Sequence, residues 1–355
     1  MSVFGPSSSF ADFVYRHFRI IHALKLGFAL FIAAFINVVF ALPHFVWSMV
    51  TIVIIMMSLP QFGGALEKSL QRAIGTCLGS AYGVFLIACF HSYWVVMALL
   101  ILAVSLVCFI SKGRYSYAYL VGGFTIIIVI GDANHDISEA MWRTANILLG
   151  CLIAVTVSLF VLPIKAKQDW RNQLHKSLMT LSTALGKQLH AGAFRNDDLR
   201  AEIETGMKAV LAQKKLFFSL EWESQTLKKH KQLLENLAQE QVRMLTLMEI
   251  LSQTRWRDDE YPSYAKINQL ACVLQKSLLE LAQFINGETE IFPELPDQMG
   301  LNLHQQLMSS LDDNERHHFS LTGYTWLLYQ FAKALESVYS EVYLIAEAYR
   351  AEESR

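Results

Sequence analysis

Residues 93–110 read YWVVMALLILAVSLVCFI, eighteen consecutive positions without a charge. At 1.5 Å of rise per residue such a helix is about 27 Å long, close to the roughly 30 Å hydrocarbon core of a bilayer. A soluble helix of that length would carry a polar face, and this one has none. Five runs of the same kind lie around it: 20–42 (IIHALKLGFALFIAAFINVVFAL), 45–59 (FVWSMVTIVIIMMSL), 72–90 (RAIGTCLGSAYGVFLIACF), 115–131 (YSYAYLVGGFTIIIVIG) and 140–162 (AMWRTANILLGCLIAVTVSLFVL). The runs at 45–59 and 115–131 are short for a span, which predicts oblique or partly interfacial packing there.

The connections test this count, because Lys and Arg in short loops accumulate on the cytoplasmic side. Residues 1–19 carry Arg16 and Arg19, loop 60–71 carries Lys68 with Arg72 at its edge, loop 111–114 carries Lys112 and Arg114, and the exit after the last run carries Lys165, Lys167 and Arg171. The alternate connections, Pro43-His44, His91-Ser92 and 132–139, hold no Lys or Arg. Six spans with both termini cytoplasmic satisfy every loop. The first run, about 23 residues long, exceeds the apolar stretch of a signal peptide, so its retention as a span is expected.

Composition divides the same way. The chain of 355 residues is 53% hydrophobic and 17% charged, with Lys+Arg 30 against Asp+Glu 31. Residues 1–164 hold eight Lys/Arg and five Asp/Glu, which leaves 22 and 26 for the remaining 191 positions. The near-zero net charge therefore joins a membrane part of +3 to a water-facing part of −4, and neither attracts nucleic acid. From Pro163 onward the apolar period becomes that of packed helices. Leu174, Leu178, Leu181 and Leu185 form one seam, and Leu328, Phe331, Leu335, Val338, Val342 and Ile345 another. Helices are predicted near 197–218, 227–254, 262–286 and 298–312, with a start at Arg195-Asn196-Asp197-Asp198 and breaks at Gly287 and Pro293 to Pro296. The fold expected is all-α: a cytoplasmic segment 1–19, a six-helix transmembrane domain 20–164 and a cytoplasmic helical bundle 165–355. Cys77, Cys89, Cys108, Cys151 and Cys272 form no CxxC pair and read as small apolar packing residues.

Charges inside spans are costly, about 2.5–3.5 kcal/mol each at a helix centre, and mark functional candidates. Arg19, His22 and Lys25 stand three apart on one side of the first span, with Asn37 on the same side, and either snorkel to headgroups or line the mouth of an anion path. In the third span Arg72 shares a side with Gly75, Gly79 and Gly83, a GxxxGxxxG stripe that admits a close neighbouring helix, with Thr76 beside it. In the sixth, Arg143, Asn146 and Gly150 form a stripe in which Arg143 either meets the anion or pairs with Asp132, Asp136 or Glu139. Trp47, Trp94 and Trp142 read as interfacial anchors. Asp132, His135, Asp136 and Glu139 read as a solvated loop, with proton coupling the functional alternative, and Asp258-Asp259-Glu260 and His317-His318 as solvated clusters rather than metal sites. Without a GxxxxGK[ST], GxSxG or HExxH segment, no enzyme, cofactor or metal is expected.

Trp47, Thr51, Pro60 and Gly64, then Lys68, Arg72, Gly75-Thr76, Gly79 and Gly83, and finally Trp142-Arg143 and Gly150, resemble the fusaric acid resistance or aromatic acid exporter family, distantly related to plant malate channels. The resemblance implies a bacterial inner-membrane protein that exports or conducts aromatic or other organic carboxylates. Lys25, Arg72 and Arg143 would then offset the carboxylate charge, since the six predicted spans contain no Asp or Glu. Larger family members carry two membrane units, so a homodimer is expected here, with the Gly75/Gly79/Gly83 stripe as a close contact either between subunits or within one. The partners expected are the organic anion, the bilayer, a second copy and accessory efflux subunits. The alternative is a membrane-anchored interaction protein acting through its bundle.

Overall fold

The computed structural model describes residues 4, 14, 17–58, 61–131, 137–190, 199–254, 261–295, 298–309, 311 and 319–353. Arg16, Pro60, Asp132, His135, Asp136, Arg195 to Asp198, Asp258 to Glu260, Pro296 and His317-His318 lie outside these residues. All regular structure among the described residues is helical, and the chain divides into two units, Ser9–Lys165 and Met1–Ser8 with Ala166–Arg355.

The first unit holds α1 (Phe18–Phe40), α2 (Val46–Ser58), α3 (Phe62–Cys89), α4 (Tyr93–Ile110), α5 (Ser116–Gly131) and α6 (Ile137–Phe160). Five helical segments (Phe18–Phe40, Phe62–Cys89, Tyr93–Ile110, Gly113–Gly131 and Ile137–Phe160) are long and apolar enough to cross a membrane, whereas the apolar segment Val46–Met57 is shorter. The 13 residues of α2 rise only about 20 Å. α1 ends where Ala41 turns left-handed at φ 47° and its N–H donates to the Asn37 carbonyl at 2.7 Å, just before Pro43 blocks continuation. α3 departs most from expectation. The stretch 62–71, read as a loop for its polar residues, forms the first turns of the helix, because Gln71 satisfies both the Glu67 carboxylate, at 2.7 Å, and the Arg114 carbonyl, at 3.0 Å.

α3 lies against α5 and α6, α2 against α6, α4 against α5, and α1 against α2 and α6. Outward faces are apolar: Val38 is 81% exposed, Trp94 79%, Phe109 79% and Phe160 76%. Such a surface suits lipid and not water. Cys77, Cys89 and Cys108 also point outward, and of the membrane cysteines Cys151 alone packs inside, so the packing role expected for all of them holds for one.

The second unit comprises α7 (Ala166–His190), α8 (Leu199–Glu223), α9 (Gln225–Lys229), α10 (Lys231–Gln253), α11 (Tyr261–Asn286), α12 (Met299–Ser309) and α13 (Phe319–Glu353). Every leucine of the 174–185 seam and every apolar residue of the 328–345 seam is buried. The helix expected over 227–254 is broken, because Ser224 caps α9 by accepting from Leu227 N–H, and His230 then starts α10. Phe4 joins this core, its ring centroid 6.2 Å from that of Trp170 and 5.7 Å from that of Phe284. Phe4 is thus grouped with the bundle, while Val14 and the described residues from His17 to Lys165 belong to the first unit.

Candidate functional site

α3 positions the central residue. Ser69, Arg72, Thr76 and Ser80 recur at three, four and four, so they form one polar stripe along the helix, and all four are buried. Arg72 is 1% exposed. Its Nε donates to Thr51 Oγ1 of α2 at 3.1 Å, and its Nη1 to the Tyr117 hydroxyl of α5 at 3.3 Å. The guanidinium carbon lies 5.9 Å from the Phe124 ring centroid. No carboxylate pairs with Arg72 among the described residues, and its second terminal nitrogen, Nη2, has no hydrogen bond there.

The glycines place these partners. A Cβ on Gly75 would collide with the Ala118 carbonyl oxygen, next to Tyr117, and one on Gly79 would stand 2.6 Å from the Gly122 oxygen. A Cβ on Gly83 would stand 2.7 Å from Val129 Cγ1. The GxxxGxxxG stripe thus meets α5 of the same chain, the within-chain alternative of the two that the sequence leaves open. Gly150 acts likewise at the α2–α6 crossing, where a Cβ would stand 2.6 Å from the Ser48 oxygen and 2.8 Å from Thr51 Cβ. Removing side chains at Gly75 and Gly150 brings Tyr117 and Thr51 within reach of one guanidinium.

Polar groups around this centre have spare capacity. Ser48 Oγ on α2, and Ser69 Oγ and Thr76 Oγ1 on α3, are buried without a hydrogen-bond partner among the described residues. Buried hydroxyls are normally satisfied, so three such orphans, two on the stripe of Arg72 and one a turn before Thr51, leave unused hydrogen-bonding capacity beside an unpaired cation. Farther along, Ser80 Oγ and Thr144 Oγ1 of α6 share a hydrogen bond of 2.6 Å. One turn before Arg72, half-buried Lys68 sits with its ammonium 5.1 Å from the Tyr117 ring centroid. Lys68 was legible as a loop charge and as part of the family resemblance, and Ser69, Tyr117 and Phe124 not at all as site residues. The three-four-four spacing of Ser69, Arg72, Thr76 and Ser80 was the available signal.

The other sequence candidates go elsewhere. Lys25, though 1% exposed, donates to the Ser158 and Leu162 carbonyls at 3.3 and 3.4 Å, and His22 Nε2 lies 2.7 Å from the Met56 carbonyl. Lys25 thus reaches a last-turn carbonyl of α6 and one just beyond its end, and His22 a last-turn carbonyl of α2, a helix-capping role. Arg19 is exposed, with its guanidinium 5.9 Å from the Phe18 ring, and does not join them. Half-buried Asn37 contributes its backbone oxygen to the end of α1. Arg143 pairs with Glu139 and donates to the Ile128 carbonyl at 3.2 Å, and its guanidinium carbon lies 6.0 Å from the Trp47 ring centroid. The membrane helices as formed therefore contain acids, Glu67 and Glu139, that the shorter predicted spans excluded. Asn146 Nδ2 clamps the α1–α2 turn by donating to the Pro43 carbonyl at 2.7 Å, and also donates to that of Trp142 at 2.8 Å. No group of three or more His, Cys, Asp or Glu with metal-binding geometry occurs among the described residues.

Comparison with known proteins adds to this geometry. The chain is 25% identical over 344 residues to inner membrane protein YeeA of Escherichia coli (strain K12), covering 93% of this chain and 95% of that one. It is 28% identical over 183 residues to aluminum-activated malate transporter 2 of Arabidopsis thaliana, covering 46% of this chain and 36% of that one. The fusaric acid resistance protein family matches residues 19–352, nearly the whole sequence. With that match added to apolar helices built around a buried arginine, the chain belongs to the fusaric acid resistance protein family.

Proposed function

We propose that this protein moves organic anions across a membrane, with Arg72 as the carboxylate contact. One observation carries the reading: a guanidinium 1% exposed inside an apolar helix bundle, held by the neutral hydroxyls of Thr51 and Tyr117 and by no carboxylate among the described residues. An unpaired buried cation is costly, and an anionic ligand offsets that cost. Fusaric acid and malate in the names of the family and of the plant relative are in keeping with a carboxylate substrate. The Phe124 and Tyr117 rings beside Arg72 favour aromatic carboxylates, whose apolar body needs an apolar wall. Lys68 stands one turn nearer the start of α3 as a second attraction for the anion.

The proposed setting is a bacterial inner membrane crossed six times, with α2 as the short crossing and both termini cytoplasmic, as the loop charges favour. A homodimer and accessory efflux subunits complete the proposed assembly. The test is flux in proteoliposomes with three labelled probes: an aromatic carboxylate, an aliphatic dicarboxylate and an aromatic amine. The reading expects saturable flux of carboxylate only, fastest for the aromatic one. Equal flux of the amine, or no flux of any carboxylate, overturns it.

A further inference from the structure

α8 carries an aromatic and basic stripe on the side away from its buried residues. Leu211, Lys214, Lys215, Phe218 and Trp222 fall within about 100° of arc, opposite buried Gln213 and Leu220. Leu211 is 51% and Trp222 46% exposed, and Phe218, half-buried, has its ring centroid 6.5 Å from that of Trp222. Lys214 and Lys215 are exposed on the same stripe, and exposed Lys228 and Lys229 follow in α9. None of these four lysines forms an ion pair among the described residues. Glu221, the acid at the edge of the stripe, is engaged by Lys231 at 3.1 Å.

The place of the stripe along the chain says what it meets. The Glu223 carboxylate accepts from the backbone N–H of Ala166 at 2.9 Å and of Lys167 at 3.2 Å. The Trp222 end of α8 is therefore fastened to the first residues of α7. Six residues earlier, α6 ends at Phe160, and a chain of that length reaches about 20 Å at full extension. Along the sequence, therefore, the helix to which this end of α8 is fastened is the first to follow the last apolar helix.

We propose that this stripe docks on anionic lipid headgroups of the leaflet from which the chain emerges, with Phe218 and Trp222 at the boundary of headgroups and acyl chains and the four lysines on phosphates. Amphipathic aromatic rings settle at that depth, and lysines beside them gain from the negative surface potential. A second copy placed face to face would set four unpaired lysines against the same four, which repels.

Lysine acetylation rates in the full-length protein, read by mass spectrometry, test this. Lys266 is the reference, because its helix meets the far end of α7 where the Tyr264 hydroxyl donates to the Gln188 carbonyl at 2.9 Å. Relative to Lys266, the four lysines should react about threefold or more slowly in nanodiscs of mixed phosphatidylglycerol and phosphatidylcholine than in phosphatidylcholine alone. The protection should disappear in about 0.5 M salt and in the W222S variant, whose change is on the surface. Equal rates in both lipids overturn the proposal, as does protection that persists in the variant. Protection that rises with protein concentration in detergent also overturns it, in favour of a second copy.

Discussion

Replacing Arg72 by Gln removes the charge at the centre of the proposed site and keeps a polar side chain there. Two guanidinium nitrogens are engaged by Thr51 at 3.1 Å and Tyr117 at 3.3 Å, which leaves Nη2 for a ligand. One charge-assisted hydrogen bond to a carboxylate contributes about 1.5–3 kcal/mol, and at about 1.4 kcal/mol per decade its loss weakens apparent affinity about 10- to 140-fold. Stability should move the other way. An unpaired cation in an apolar bundle costs on the order of 2.5–3.5 kcal/mol, so R72Q relieves much of the cost that the ligand site imposes. The R72K variant keeps the charge, but one ammonium cannot reach α2, α5 and a ligand together, so its affinity should fall between those of R72Q and the unmodified protein. The assay is concentration-dependent uptake of a labelled aromatic carboxylate into proteoliposomes with matched incorporation, alongside thermal unfolding of the same preparations. If R72Q saturates at the same concentration and transports within about twofold of the unmodified protein, the anion is not read at Arg72. If R72Q loses both flux and stability, Arg72 is a structural tie between α2 and α5.

Three further outcomes are expected. Gly79→Val should lower thermal stability by about 1–3 kcal/mol, since even its Cβ would stand 2.6 Å from a backbone oxygen of α5, while Gly27→Ala, with nothing within 4 Å, should be neutral. Lys25→Met should cost about 1 kcal/mol in unfolding experiments by uncapping α6 and leave the transport KM unchanged; a raised KM with unchanged stability would restore Lys25 to the anion path. In the bundle, burial and then nearby Glu240 raise the Glu341 carboxyl above its ordinary value of 4.5, against the lowering effect of the Asn236 hydrogen bond. A raised folded value means that stability is fully present below the unfolded range and is lost as pH rises through the folded one. Glu341→Gln should accordingly raise the unfolding midpoint at about pH 7.5 more than at about pH 4, as followed by circular dichroism.

The six apolar runs were legible because a lipid-facing helix needs apolar residues on nearly every side, which leaves a signal that does not depend on neighbours. The start of α3 was not legible. Glu67, Lys68 and Gln71 look like loop residues, whereas in the folded chain Gln71 pairs with Glu67 and with the Arg114 carbonyl across the α4–α5 turn. Arg72 was visible as a charge in an apolar run. Its partners depend on how α2 and α5 register against α3, and contacts 21 and 45 residues away leave no local trace. Lys25 shows the converse, since an identical sequence signal came from a side chain that caps a helix end.

Phe4 bears on the order in which this protein is made. Its ring completes a cluster with Trp170 and Phe284, yet about 280 residues separate its synthesis from that of Phe284. At roughly 5–20 residues per second that is an interval of about 14–56 s, during which the apolar helices must be inserted while Phe4 waits without its cavity. The bundle therefore closes late, around a residue made about 280 positions before its partner Phe284. A bulky fusion placed directly before Phe4 should delay that closure, which pulse-labelled limited proteolysis of nascent chains would detect as a longer protease-sensitive phase.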